Sequence, residues 1–279
     1  MMVSHYDDSR FLIVLQVDHS RVAGLLAAHW GNATFAEPRP YASVVLAAQE
    51  HDTGWWEWEV KPTVNEQGAP IDYIGSVWAL GRAWLDFNSR WIPRVVERDP
   101  YAGLLVLMHN VGLVNHGYGR VLSLATSSVR MDELGQEFVR EHEALRVKLL
   151  DELRQSEQYR DITSDEHTWT NYKLMEVFDR LAQFICNRYP FNSTERRNGP
   201  GNVVNHVPVA PGKEDGILTV NVLDEKRAVV RPYPFDVDPL EIAFPARLVP
   251  RRTYGSQEEF LREYYKGERL TITYALQAP

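Results

Sequence analysis

"RFLIVLQVDHSRVAGLLAAHWGN", Arg10 to Asn32, holds the two patterns that decide the fold. Arg10 to Gln16 is an apolar, β-branched run, the composition of a buried strand. From Val17 onward the spacing is helical. Val22, Ala23, Leu26 and Ala27 share one face, Asp18 is placed to cap the helix, and "WGN" supplies a stop. His19 falls on the apolar face and so points to the core. Such a residue is ordinarily an imidazole hydrogen-bonded to a carbonyl. The other reading is a metal ligand.

Working outward, "YASVVLAAQEHDTGW" from Tyr41 reads as a second helix, broken or bent at Gly54. "YIGSVWALGRAWLDFNSRWIPRVVER" from Tyr73 has helical spacing with large aromatics, and "DPYAGLLVLMHNVGLVNHG" from Asp99 is a helix opened by proline. "MDELGQEFVREHEALRVKLLDELRQSEQY" is long, charged and amphipathic. "DEHTWTNYKLMEVFDRLAQFICNRYP" is the last strong helix, stopping at Pro190. After a loop, "FNSTERRNGPGN", the character changes to strands: "GILTVNVLD", "RAVVRPYPF", "LEIAFPARLVP" and "RLTITYAL", with the short helix "SQEEFLREYYKG" among them. The pattern predicts a mainly α protein with a multi-helix core. A small antiparallel sheet from the C-terminal region completes it, and the N-terminal strand is free to join that sheet. Residues 1–190 form the helical domain, and 191–279 a strand-rich extension packed on it.

The chain has 279 residues, 44% hydrophobic and 24% charged, as an ordinary globular protein has. Its net charge of −8, without a basic stripe, argues against a nucleic-acid backbone or a membrane surface as partner. The single cysteine, Cys186, excludes an internal disulfide and a cysteine-based zinc site. "FLIVLQV" is too short to span a bilayer and lacks the basic flank of a signal peptide. A reducing cytoplasm is the expected setting.

Several residues could carry chemistry. In "QEHDTGWWEWE", Gln49 to Glu59, His51 and Asp52 are adjacent and diverge by about 100° on a helix. Ala47 and Ala48, one turn back, leave room for another helix to approach. Asp179 lies on a stripe with Tyr172, Met175, Ala182 and Cys186, where a carboxylate needs a cation or several donors. An arginine would serve, and so would a metal. His109 and His116 lie about 10 Å apart along one helix face, too far to share an ion. One could ligate a metal while the other meets substrate, or both could be polar core.

The order of these residues resembles the HD-domain metal-dependent phosphohydrolase superfamily. There a His-Ser-x-x-Val-Ala helix is followed by His-Asp-x-Gly and a distant Asp on an all-helical core. His19, His51, Asp52 and Asp179 match those positions, and His109 and His116 fall where two-metal subfamilies carry extra histidines. The resemblance implies an HD-like fold for the helical domain and a divalent metal, among Mn, Fe, Zn, Mg, Co or Ni, on the four matching residues. One departure is Trp55, which stands where many of these enzymes have lysine. "DHSRVAGLLAAHWG", "EHDTGWWEWE" and the late "PYPF" also resemble a bacterial family catalogued as a domain of unknown function.

The expected activity is metal-dependent hydrolysis of a small phosphorylated molecule, a phosphomonoester or phosphodiester, with metal-activated water as nucleophile. Asp52, His109 and His116 are the candidate catalytic groups. Trp55 and Trp56 are candidates to line a pocket, and Arg196 and Arg197 to form an anion-binding loop. A small-molecule substrate is the expected partner, and a homo-oligomer is open. Extra histidines also allow an HD-like di-iron oxygenase. A non-catalytic binding or regulatory protein is the remaining reading.

Overall fold

The computed structural model describes residues 1–119, 132–191 and 202–279. Its elements in order are β1 (Met2–His5), β2 (Arg10–Val14), α1 (Gln16–Ala28), α2 (Tyr41–Glu50), α3 (Trp56–Glu59), α4 (Tyr73–Leu80), α5 (Arg82–Arg98), α6 (Pro100–Val114), α7 (Glu133–Gln155) and α8 (Asp165–Arg188). They are followed by β3 (Val203–Val207), β4 (Gly216–Val222), β5 (Arg227–Arg231), β6 (Leu240–Pro250), α9 (Gln257–Lys266) and β7 (Arg269–Gln277).

The expectation of a mainly α, HD-like fold with a small sheet is corrected here. About 52% of the structure is helix and 20% strand, and the strands form one curled, half-barrel sheet of seven in the order β1-β2-β6-β7-β5-β4-β3. Every neighbouring pair is antiparallel except β5 and β7, so the sheet is mixed. An all-helical core is excluded with it. The N-terminal strand does enter the sheet: β2 pairs with β6 from Arg10↔Pro250 to Ile13↔Arg247, and β1 adds the edge.

The alternation along β6 shows why one face of the sheet meets the helices. Leu240, Ile242, Phe244, Ala246 and Leu248 are buried, while Glu241, Ala243 and Pro245 face outward. One apolar core runs from Leu12 and Ile13 of β2 through Val22 and Leu26 of α1 and Phe178 of α8 to Phe244 of β6. The sheet thus joins segments on both sides of Pro190. Among the described residues, no helix is long and apolar enough to cross a membrane.

Two helix ends depart from their sequence reading. The run from Tyr73 is not one helix but two, separated at Gly81, whose φ of 53° is the left-handed conformation that glycine adopts without strain. Asp18 does not cap α1. Leu15 is the N-cap and offers no side-chain bond; the Gln16 amide instead donates to Glu59 Oε1 at 2.6 Å. A carboxylate 43 residues away supplies the cap.

Candidate metal centre

Helices α1 and α2 pack closely. A Cβ built on Gly24 of α1 would lie 2.8 Å from Gln49 Cβ of α2, nearer than real side chains come, and Ala47 and Ala48 beside it are fully buried. This approach sets His19 against His51, with ring centroids 5.2 Å apart and nearly perpendicular. α8 passes behind them and brings Asp179, which accepts a 2.8 Å hydrogen bond from His19 Nε2 across 160 residues of sequence.

The helix carrying His51 ends sooner than its sequence suggests. α2 stops at Glu50, His51 is its C-cap, and Asp52 leaves helical geometry at φ −117° and ψ 10°. The Asp52 amide donates to Ser20 Oγ at 3.1 Å, which ties the break to α1. Released from the helix, the two adjacent side chains turn to one point. His51 Nε2 lies 3.7 Å from Asp52 Oδ2 and 3.5 Å from Asp179 Oδ1. His51 Nδ1 donates to the Ala48 carbonyl at 2.8 Å, and its buried Nε2 has no hydrogen-bond partner.

His109 of α6 completes the cluster. Its ring stands 4.9 Å from that of His51, and its Nδ1 donates to Glu176 Oε1 at 2.9 Å. Two overlapping groups result, His19–His51–Asp52 and His51–His109–Asp179, each with its ligand atoms within 4.8 Å of one another and all buried. The cluster can hold a metal ion. Edges of about 3–4 Å suit ligands on an ion with bonds of about 2.1 Å. A histidine nitrogen buried without a partner, its other nitrogen fixed by a carbonyl, is a ligand in the required tautomer.

Electrostatics follow from this crowding. Burial opposes a charge on His51, yet Asp52, Asp179 and the Ala48 carbonyl outweigh it and raise the imidazole to about 9. Burial likewise opposes a charge on His109, and Glu176 overrides it and raises that group too. For Asp179 burial pushes upward, while the hydrogen bond from His19 and the charges of His51 and His19 hold it well below the usual carboxylate range. Gln16 Nε2 donates to Asp52 at 3.0 Å, and Gln183 Nε2 bridges both Asp179 oxygens at 3.0 and 3.1 Å.

A cavity of about 270 Å³ opens on the cluster, with Asp52, His109 and Asp179 in its wall beside Trp55, Tyr73 and Arg180. Trp55 is buried against Trp58 and Phe87. Trp56 does not line this cavity. It is 43% exposed and lies off the cavity beside Arg21 and Trp91. His116 is likewise apart, exposed beyond the end of α6 with a φ of 57°. The helix face it was expected to share with His109 ends at Val114. Arg196 and Arg197 lie outside the described residues.

Sequence reasoning missed Glu176, Gln16, Gln183 and Arg180. Glu176 had a legible signal, since it sits one turn before Asp179 amid the apolar residues Leu174, Met175, Val177 and Phe178, and is buried as Asp179 is. Nothing local marks Gln16 or Gln183, whose roles come from what the fold sets beside them.

The profile of DUF3891, described as a protein of unknown function, matches residues 1–251. The chain belongs to the DUF3891 family. No curated protein and no solved structure matches it. For the DUF3891 fold, the comparisons lend no support to membership of the HD superfamily.

Proposed function

We propose that this protein is a metal-dependent hydrolase of small phosphorylated molecules, with a divalent ion held by His19, His51, Asp52 and Asp179. The observation that carries the reading is the buried, unpartnered His51 Nε2 between two carboxylates, Asp52 and Asp179, that line a cavity. The likeness to HD phosphohydrolases is then one of site, in the order His, His-Asp, Asp, on a fold of its own. A divalent ion there supplies Lewis acidity, which makes water nucleophilic near neutral pH and polarises a phosphoryl oxygen. The protein's residues do the rest. Ala48 and Glu176 fix the tautomers of His51 and His109, Gln16 and Gln183 orient the carboxylates, and Trp55 and Trp84 shield the cavity wall from water.

A second reading is an oxygenase with two irons, favoured by His109, which stands in one group with His51 and Asp179 and would bind the second ion while a carboxylate, not His51, is shared. The experiment is turnover of p-nitrophenyl phosphate and bis-p-nitrophenyl phosphate with Mn²⁺, Zn²⁺ or Fe²⁺ restored to chelator-stripped protein. Metal-dependent release of nitrophenol that His51→Gln abolishes is the expected result. Bound iron with oxygen consumption and no phosphoesterase activity would favour the oxygenase.

A further inference from the structure

The cavity beside the cluster is cationic at a second place. Arg180 follows Asp179 on α8 and lines the cavity, yet among the described residues it makes no hydrogen bond or ion pair, and its Nε is buried without a partner. Nearby carboxylates do not claim it. Asp179 is taken by His19 and Gln183, and Asp52 by Gln16. Arg188, two turns further along α8, lines the same cavity, and among the described residues its one hydrogen-bond partner is the neutral side chain of Asn202, at 2.8 Å. Arg180, Gln183, Phe184, Asn187 and Arg188 fall at i, i+3, i+4, i+7 and i+8, so one stripe of α8 runs along the wall with an arginine at each end. The two backbone positions are about 12 Å apart along the axis, a span that two long arginine side chains can bridge by reaching towards one anion between them.

We propose that Arg180 and Arg188 form the anion-binding subsite of this cavity, taking the phosphoryl group of the substrate. The inference rests on the hydrolase reading for its placement beside a metal, though not for its chemistry. An arginine in a cavity wall without a counter-ion is a fork of donors awaiting an oxyanion, and two such forks match a dianionic tetrahedral phosphate better than a single carboxylate. Trp55 lines the same cavity as an apolar wall, and the positive charge comes from α8.

The test is equilibrium binding of inorganic phosphate to the full-length protein, once stripped with chelator and once loaded with Mn²⁺, with acetate as the carboxylate control. Arg180→Met and Arg188→Met should each weaken phosphate binding tenfold or more, with manganese content unchanged and acetate bound far more weakly by the parent protein. Arg180→Lys should restore part of the loss. Arg188→Gln, which removes the charge but keeps an N–H donor for Asn202, serves in place of Arg188→Met if loss of that contact unfolds the protein. Parent-like phosphate binding in both methionine variants, no phosphate binding by the parent, or acetate binding as tight as phosphate would each overturn the proposal. Arginine-dependent phosphate binding by a protein that retains no metal would uphold this subsite and sink the hydrolase reading instead.

Discussion

At the scale of single residues, the cluster sets two opposite pH dependences. His51 is raised from its ordinary 6.5 to about 9 in the folded protein. A raised basic group stabilises fully below its unfolded value, and that contribution is lost as pH climbs through the folded value. Chelator-stripped protein should therefore show a falling thermal midpoint between about pH 6.5 and 9. Metal affinity should climb over the same window, because the proton on His51 competes with the ion. A flat midpoint across that range would contradict the assigned environment of His51. A second test concerns Glu176, whose carboxylate holds His109. On the two-iron reading, in which His109 is a ligand, Glu176→Gln should weaken binding of the second ion roughly 10–100-fold, read by competition with a metallochromic indicator, with secondary structure unchanged. An unaltered affinity would leave His109 without a role at the metal. Asp179 was legible because a carboxylate on an apolar stripe demands a partner. Glu176 carried the same signal in weaker form. The turn of Asp52 towards His51 was not legible, since Asp52 N is fixed by Ser20, which only the packed fold brings near.

At the scale of elements, the site depends on the approach of α1 to α2. Gly24 permits it, and a side chain there must displace Gln49 or part the helices. Gly24→Val should cost about 1–3 kcal/mol in urea unfolding, as overpacking does, and should lower metal affinity as well. Full stability in Gly24→Val would show that the helices can separate freely. The helices, apart from their ends, were readable because apolar residues recur at helical spacing and because Asp99 with Pro100 announces a start. β6 was readable for its strict alternation. β1 and β3 were silent: "MVSH" and "VVNHV" are short and mix polar with apolar residues, so only pairing with neighbours makes them strands. Without those two, the seven-stranded sheet looked small.

For the whole molecule, the shared core implies that helices and sheet unfold together. All eight tryptophans precede residue 170, so their fluorescence reports the helical part. Phe244 lies in β6, fully inside the core. Phe244→Ala should cost about 3–5 kcal/mol and lower the urea midpoint of tryptophan fluorescence and far-ultraviolet circular dichroism by the same amount. A fluorescence midpoint that stays put while the sheet signal shifts would mean that two separate units make up the chain.

The central claim is that His19, His51, Asp52 and Asp179 hold a metal ion, and elemental analysis tests it most directly. Protein purified without chelator or added metal is measured beside Asp179→Asn, an isosteric change that removes the charge on which the histidines converge. Expected is about one ion or more per chain in the parent, and a loss of that metal in Asp179→Asn with the circular dichroism spectrum retained. A parent protein that holds no metal even after incubation with Mn²⁺, Zn²⁺ or Fe²⁺, or equal metal in both proteins, would contradict it.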